Sequence, residues 1–226
     1  MKLEGKIINF LGDSITEGAG VFDIENCRYD RRIFHEKGLA KANNYGIGGT
    51  RLAYQVYPSE DPKYDYCFCD RARCMDKNAD VIVVYGGVND FMHGDAPIGT
   101  DADETPETFI GAVKYLINFL KKTYPRAKLV FMTPAHCVIG GVDDDYVSPY
   151  PNKQSDAMPL AGYVDIIKKW CSEYDVKVAD LYNELPIDAR DPEQRKAYCP
   201  DGVHFNDEGH KFLADMLIKT LEGLEE

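Results

Sequence analysis

Short apolar runs alternate with longer polar and amphipathic stretches along this chain. Runs with the character of β-strands lie at residues 6–10, 42–45, 81–85, 129–132 and 176–181. The stretches that separate them are long enough to hold crossover helices, which parallel strands need for their connections. The pattern therefore predicts a parallel β-sheet.

Four of the intervening or following stretches have the periodicity of amphipathic helices. Their apolar residues recur three and four positions apart, at residues 28–37, 108–124, 157–174 and 207–221. Pro125 marks the end of the second helix, and Asn206 is placed to cap the fourth with its side-chain oxygen. Charged residues on the other side of each stretch indicate that the helices cover the sheet.

Long loops rich in Pro, Asp and Gly are predicted at residues 57–64, 93–105 and 133–155. Loops that follow strands are common places for a substrate pocket. No repeat, low-complexity tract or linker divides the sequence, and 226 residues with 44% apolar composition suit one domain. We therefore predict a single domain over residues 1–226.

The chain is strongly acidic, with a formal net charge of -12 and a sequence pI near 4.9. Such a surface repels phosphate groups, and no block of Lys or Arg offsets this locally, so neither nucleic acid nor an anionic membrane is expected as a partner. The first apolar run is too short for the core of a secretion signal or for a membrane span. These features predict a cytoplasmic protein without membrane insertion, and they leave a homo-oligomer open.

Seven cysteines at irregular spacing indicate reduced thiols rather than a disulfide framework. Cys67, Cys69 and Cys74 lie close together, but they lack the paired spacing and the fourth ligand of a structural zinc site. The acidic run at residues 143–145 lacks the spacing of a calcium loop. Neither a metal nor a cofactor is therefore expected.

Four short blocks follow predicted strands or precede the last predicted helix. They read Gly-Asp-Ser at residues 12–14, Asn-Tyr-Gly-Ile-Gly-Gly at 44–49, Gly-Gly-Val-Asn-Asp at 86–90 and Asp-Gly-Val-His at 201–204. In a parallel sheet with right-handed crossovers, the carboxyl ends of the strands lie along one edge. We therefore expect the four blocks to meet there.

Three side chains in these blocks are the parts of a serine hydrolase. The hydroxyl of Ser14 is a poor nucleophile at neutral pH unless a base takes its proton, and the imidazole of His204 titrates near the working pH. Asp201, three residues before His204, can hold the ring in one tautomer and stabilise the imidazolium that forms during attack. The sequence therefore predicts a triad of Ser14, Asp201 and His204.

Acyl transfer also needs hydrogen-bond donors that point at the developing oxyanion. The backbone N–H groups of Ser14 and Gly49 and the side-chain amide of Asn89 are the candidates. Glycine suits the second position because the backbone there must approach the ligand without a Cβ in the way. Gly48 is the alternative to Gly49, and we favour Gly49.

Taken together and in this order, the four blocks resemble the SGNH/GDSL hydrolase family, whose blocks are named for Ser, Gly, Asn and His. The likeness extends over residues 7–210. It implies a three-layer α/β/α sandwich with a flavodoxin-like, five-stranded parallel sheet, and hydrolysis of esters or thioesters without a cofactor. It also implies that Ser14, Gly49, Asn89 and His204 are the four functional positions, with Asp201 as the triad acid. No Gly-x-Ser-x-Gly elbow occurs, which argues against the ordinary α/β-hydrolase layout.

Three of the four blocks also have a structural interpretation, and for residues 89–90 it is a turn. Ser14 can cap a helix, with Glu17 in capping-box register, and the segment with Asp201 and His204 can be a turn before a helix. His210 is a competing histidine, but its position inside the last predicted helix favours a structural role.

Four further residues near the presumed rim are candidates for substrate binding, although solvated loop residues are the usual outcome. They are Asp13, Arg51, His93 and His136.

The function that these observations favour is a serine esterase that forms an acyl-enzyme from a small-molecule ester. A short acyl group, such as acetyl on a carbohydrate, is the preferred substrate, because the loops are polar and aromatic and no apolar lid helix is evident. An acyl-thioesterase or lysophospholipase with the same triad is the first alternative. A non-catalytic binding domain on the same scaffold is the second, since a fold by itself does not establish activity.

Overall fold

The computed structural model describes residues 1–225 and contains a five-stranded parallel sheet in the order β2-β1-β3-β4-β7. The strands of this sheet are β1 Ile7–Gly12, β2 Lys41–Gly46, β3 Val81–Tyr85, β4 Lys128–Met132 and β7 Lys177–Ala179. A separate antiparallel hairpin is formed by β5 Val138–Ile139 and β6 Val142–Asp143. The predicted parallel sheet is confirmed, and all five predicted runs belong to it.

Helices precede, connect and follow these strands. Before β3 they are α1 Ser14–Glu17, α2 Ile24–Cys27, α3 Tyr29–Lys37 and α4 Phe68–Arg71, and after it α5 Val88–Met92, α6 Phe109–Thr123, α7 Leu160–Glu173, α8 Leu181–Glu184, α9 Pro192–Tyr198 and α10 Asp207–Glu222. Among them, α3 packs against α10, and α6 packs against α4 and α7. Every residue of β3 is buried, so helices cover both faces of the sheet and the α/β/α prediction is confirmed.

The four predicted amphipathic helices are α3, α6, α7 and α10. Asn206 caps α10 as predicted, since its side-chain oxygen accepts a hydrogen bond from Gly209 N at 3.0 Å. The seventh helix starts three residues later than predicted because Pro159 disfavours helical backbone at the residue before it. Strand β7 ends two residues early because Asp180 caps α8 instead of extending the strand.

The strand order places a topological switch between β1 and β3. The chain leaves β1 towards β2 on one side and returns to β3 on the other. In open α/β sheets, ligand sites form in the crevice outside the carboxyl ends of the strands at such a switch. Two of the four blocks follow β1 and β3 directly, so they border this crevice.

Helix α1 lies directly on the end of β2. A Cβ atom added at Gly46 would lie 2.2 Å from the backbone N of Glu17 and 2.6 Å from the carbonyl carbon of Thr16. Because both atoms are main chain, the contact cannot be relieved by a side-chain rotation. The glycine therefore sets the distance between β2 and the helix that begins with Ser14.

None of the helices within residues 1–225 combines the length and the apolar character that crossing a membrane requires.

We predict that Gly46→Ala lowers the free energy of unfolding by about 1–3 kcal/mol, because the new methyl group forces β2 and α1 apart. Urea unfolding measures this change. Gly223→Ala is the matched control, because its Cβ would approach no atom closer than 3.4 Å. It should change stability by less than about 0.5 kcal/mol. An unfolding midpoint for Gly46→Ala equal to that of the unsubstituted protein would contradict the steric argument.

Candidate active site

A cavity of about 440 Å3 lies at the carboxyl ends of the strands, and all four blocks contribute to its wall. We call it the strand-end cavity. The block residues that line it are Ser14, Gly48, Gly49, Asn89, Val203 and His204. The predicted convergence of the blocks is therefore present in the structure, although Ser14 and His204 are 190 residues apart in the chain.

A chain of two hydrogen bonds joins the three predicted triad residues. Ser14 Oγ lies 2.8 Å from His204 Nε2, and His204 Nδ1 lies 2.6 Å from Asp201 Oδ2. The other carboxylate oxygen, Asp201 Oδ1, accepts the backbone N–H of His204 at 2.7 Å and that of Val203 at 2.9 Å. One short loop thus orients the carboxylate and the imidazole together.

Burial and hydrogen bonds determine the protonation states of the carboxylate and the imidazole in this chain of hydrogen bonds. Burial raises the pKa of Asp201, but the hydrogen bonds from the His204 ring and from two backbone N–H groups outweigh it and bring the pKa to about 2. The hydrogen bond to Asp201 in turn raises the pKa of His204 above its ordinary 6.5. Because Asp201 is ionised at neutral pH, it holds the proton of the neutral ring on Nδ1 and leaves the Nε2 lone pair facing Ser14.

Ser14 is the first residue of α1, immediately beyond the end of β1. The N-cap of this helix is Asp13, whose carboxylate accepts the N–H of Ile15 at 3.0 Å. The alternative in which the Ser14 hydroxyl caps a helix is therefore wrong. Burial raises the pKa of the Asp13 carboxyl to about 7, and this side chain braces the turn behind the cavity instead of lining it.

The two glycines of the second block differ in what their backbone N–H groups contact. Gly48 N donates to Glu17 Oε2 at 2.9 Å, so that donor is already engaged. Gly49 has φ +73, a value that favours glycine, and within residues 1–225 its N–H donates to no protein acceptor. The N–H of Gly49 is therefore the one available to a ligand oxygen.

Asn89 and Ser14 offer further donors to the same cavity. One hydrogen of the Asn89 amide is used by the carbonyl of Thr50 at 3.1 Å, which fixes the orientation of the side chain. The second hydrogen stays available. Together with the N–H groups of Ser14 and Gly49, it gives the three donors that the sequence predicted for an oxyanion.

Arg71 is a positioning residue that the sequence analysis did not identify. Its guanidinium donates to the carbonyls of Gly12 at 3.0 Å and of Tyr45, and to the Thr50 hydroxyl at 2.8 Å. It thereby joins the ends of β1 and β2 to the loop that carries Gly49. Burial lowers the pKa of Arg71 to about 10, which leaves it cationic at neutral pH. No local pattern marks this arginine, because its partners are distant in the sequence.

The β5–β6 hairpin supports the loop that holds Asp201 and His204. Val138 N donates to Gly202 O at 2.9 Å, and Gly202 has φ +87. A Cβ atom at this glycine would lie 2.3 Å from Val138 O. The hairpin is thus fitted against the backbone between the triad acid and the base.

His136 is placed differently from its predicted role in substrate binding. It lies outside the strand-end cavity, where its Nδ1 is 2.9 Å from the buried Asp144 carboxylate and its Nε2 accepts from Arg190 at 3.1 Å. The sequence placed His136 in a loop after a strand but could not show that the carboxylate of Asp144, eight residues on, accepts a hydrogen bond from its Nδ1. This network anchors the start of the β5–β6 hairpin.

Two of the other candidates for substrate binding, Arg51 and His93, do line the cavity.

The competing histidine, His210, is fully buried in α10, and its Nδ1 accepts from Tyr29 N at 3.2 Å. Burial lowers its pKa to about 3. His210 therefore has the structural role that its sequence position favoured.

Within residues 1–225, no group of three or more His, Cys, Asp or Glu side chains is arranged to hold a metal ion. Cys67, Cys69 and Cys74 are free cysteines, and the Cys69 thiol contacts backbone carbonyls.

The comparisons with known proteins point in the same direction as this geometry. A model of the GDSL-like lipase/acylhydrolase family matches residues 10–212. A crystal structure of a protein from Lactobacillus plantarum is 26% identical, with a TM-score of 0.81 over 99% of each chain. Among curated proteins, none matches this chain.

Two more distant crystal structures share the fold. One, from Bacteroides uniformis, is named a GDSL-like lipase and is 20% identical, with a TM-score of 0.68 over 97% of this chain and 96% of its own. The other is an acetyl xylan esterase, 22% identical, with a TM-score of 0.58 over 94% of this chain and 98% of its own.

We predict that an NMR titration of the imidazole groups separates the histidines by environment. His204 should titrate above 6.5, whereas His93 and His210 should titrate at about 4 and about 3, because burial is the main influence on both. In Asp201→Asn the titration of His204 should move downwards, because the largest cause of its raised pKa is gone. An unchanged His204 pKa in this variant would contradict the ion-pair assignment.

Proposed function

Because the chain belongs to the GDSL-like lipase/acylhydrolase family, we propose that it is a serine esterase that removes short acyl groups from small polar molecules through an acyl-enzyme. The observation that carries the proposal is the 2.8 Å contact between Ser14 Oγ and His204 Nε2 in the wall of the strand-end cavity. This distance is within hydrogen-bond reach for a nucleophile and its base.

In the acylation step, Ser14 Oγ attacks the ester carbonyl carbon while His204 Nε2 takes the hydroxyl proton. Asp201 stabilises the imidazolium ion, and its short contact with Nδ1 keeps the ring in position. When the tetrahedral intermediate collapses, His204 gives the proton to the leaving alcohol oxygen. The carbonyl carbon stays bonded to Ser14 Oγ as an acyl-enzyme.

The negative charge of the tetrahedral intermediate rests on the carbonyl oxygen. The N–H groups of Ser14 and Gly49 and the free hydrogen of the Asn89 amide are the donors for it. Loss of one such donor typically lowers kcat by about 10²–10³. Because Thr50 and Arg71 already hold these groups in place, little reorganisation is needed when the charge forms.

Deacylation repeats the sequence with water as the nucleophile. His204 takes a proton from a water molecule, the resulting hydroxide attacks the acyl carbon, and the bond between that carbon and Ser14 Oγ breaks. Ser14 Oγ recovers a proton from His204, and the acid product leaves. The cavity is open to solvent, so water can reach the acyl-enzyme.

The preference for a short acyl group on a polar alcohol rests on the wall of the strand-end cavity. Besides the catalytic groups and the apolar residues Ala19, Met92 and Val203, this wall contains Arg51, Tyr64, His93 and Tyr150. The polar groups of these four side chains can bind the hydroxyl groups of an alcohol, and the aromatic rings can pack against a sugar ring. An acetyl xylan esterase has the same fold, which supports an acetylated sugar as the substrate class.

We predict that Ser14→Ala abolishes hydrolysis of p-nitrophenyl acetate, with a loss of at least about 10³ in kcat, because the nucleophile is removed. Covalent labelling by a serine-directed phosphonate should be lost in the same variant. Ser172→Ala is a matched control, since this exposed serine lies on α7, outside the strand-end cavity. Equal activity of Ser14→Ala and the unsubstituted protein would refute the mechanism.

The acyl group is tested with p-nitrophenyl esters of increasing chain length and with acetylated sugars. We expect kcat/KM to be highest for acetyl and to fall as the chain lengthens, because the cavity offers polar groups to the substrate. A preference for long acyl chains or for acyl-thioesters would replace the proposed substrate by that of a lysophospholipase or thioesterase. The triad mechanism would stand in that case.

A further inference from the structure

A buried arginine fixes the tautomer of a histidine in the wall of the strand-end cavity. Arg51 Nη2 lies 2.8 Å from His93 Nδ1, and both residues line the cavity. A guanidinium group has donors and no acceptor, so His93 Nδ1 must accept this hydrogen bond with its lone pair. The proton of the neutral His93 ring is therefore on Nε2.

The arginine cannot easily turn away from this contact. Its side chain is 8% exposed, and Nη1 donates to the carbonyl of Tyr64 at 3.0 Å and to the hydroxyl of Ser59 at 3.2 Å. Asp65 Oδ1 lies 3.9 Å from Arg51 Nη1, so the carboxylate balances part of the positive charge of the guanidinium. These contacts hold the guanidinium in the orientation that the His93 ring requires.

The surroundings of His93 also keep the ring uncharged. Burial, followed by the positive charges of Arg51 and Lys153, lowers its pKa to about 4. Tyr150 packs against the ring edge to face, with 5.8 Å between the ring centroids. At neutral pH, His93 is therefore a neutral ring with one hydrogen-bond donor.

His93 is placed close to the reacting groups. It caps the carboxyl end of α5 four residues after Asn89, and its backbone N–H donates to Asn89 O at 3.1 Å. Residues four positions apart in a helix lie on the same side. Within residues 1–225, Nε2 of His93 makes no hydrogen bond to a protein acceptor, whereas Nδ1 is occupied by Arg51.

We propose that His93, held by Arg51 as the Nε2–H tautomer, is a specificity-determining residue that donates a hydrogen bond to an uncharged oxygen of the substrate beside the scissile ester. This inference rests on the proposed function and narrows its substrate class to esters that carry a hydroxyl or ether oxygen near the reacting carbonyl. An alkyl ester in the same place leaves a desolvated donor without a partner. Sites built around such a donor discriminate against analogues that lack the oxygen.

The oxygen can belong to the alcohol part or to the acyl part of the ester, and two pairs of substrates of nearly equal size separate these sources. The alcohol pair is 2-hydroxyethyl acetate and propyl acetate. The acyl pair is methyl glycolate and methyl propionate. The measured quantity is the ratio of kcat/KM for the hydroxylated member to that for the alkyl member of each pair.

We expect His93→Phe to lower this ratio about tenfold in one of the two pairs, since one hydrogen bond of about 1.4 kcal/mol is lost. His93→Gln should restore most of the ratio, because its amide nitrogen reaches the position of Nε2. His35→Phe is the matched control, because His35 is exposed on α3 and lies outside the strand-end cavity. A ratio that is the same in His93→Phe as in the unsubstituted enzyme, for both pairs, overturns the proposal.

Failure of this inference is distinguishable from failure of the proposed function. If both ratios are unchanged but Ser14→Ala is inactive, the esterase mechanism stands and the role of His93 is refuted. If Ser14→Ala keeps full activity, the proposed function itself fails.

A measurement on the unsubstituted protein tests the tautomer without any variant. Long-range proton–nitrogen NMR spectra at neutral pH should show His93 Nδ1 without a proton and Nε2 with one. The opposite tautomer, or a doubly protonated ring, overturns the proposal.

Discussion

The guanidinium of Arg71 holds together the ends of the two strands that border the candidate active site. It donates to carbonyls at the ends of β1 and β2 and to the hydroxyl of Thr50. Ser14 lies two residues beyond the end of β1, and the carbonyl of Thr50 orients Asn89. One half-buried cation therefore joins the strand end that precedes Ser14 to the loop that orients Asn89, and two main-chain carbonyls accept hydrogen bonds from it.

The parts of this molecule that could be predicted from sequence are those that depend on local pattern. The apolar runs identified the strands of the parallel sheet, and Asn206 was recognised as the cap of α10. Parallel topology then brought Ser14 and His204 to one edge. This step needed only the rule that the carboxyl ends of parallel strands lie together.

The parts that could not be predicted depend on contacts between residues far apart in the chain. The difference between Gly48 and Gly49 arises from Glu17, whose carboxylate accepts a hydrogen bond from the N–H of Gly48 across 31 residues. His136 resembled a rim residue because it follows a strand, but Asp144 and Arg190 bind both of its ring nitrogens. Neither set of contacts can be predicted from the periodicity or the spacing of residues in the sequence.

Three histidines near the candidate site differ in the groups that contact their ring nitrogens. A carboxylate on Nδ1 raises the pKa of His204, whereas burial lowers the pKa of His93 and a guanidinium on Nδ1 leaves the proton of its neutral ring on Nε2. His136 has a carboxylate on Nδ1 and a guanidinium on Nε2, so both ring nitrogens are engaged in hydrogen bonds within the fold. The groups that contact the ring nitrogens thus determine whether a histidine is suited to act as a base, to donate a hydrogen bond or to support the fold.

Ser14 begins the helix just after the first strand of the sheet, whereas His204 belongs to the segment before the last helix. During synthesis, the ribosome therefore releases the serine long before the imidazole. A nascent or truncated chain that lacks residues 201–204 lacks both the imidazole that contacts Ser14 Oγ and the carboxylate that orients this imidazole. The hydrogen bond between Ser14 Oγ and His204 Nε2 therefore forms only after residues 201–204 have been synthesised, when all five strands of the sheet are already present in the nascent chain.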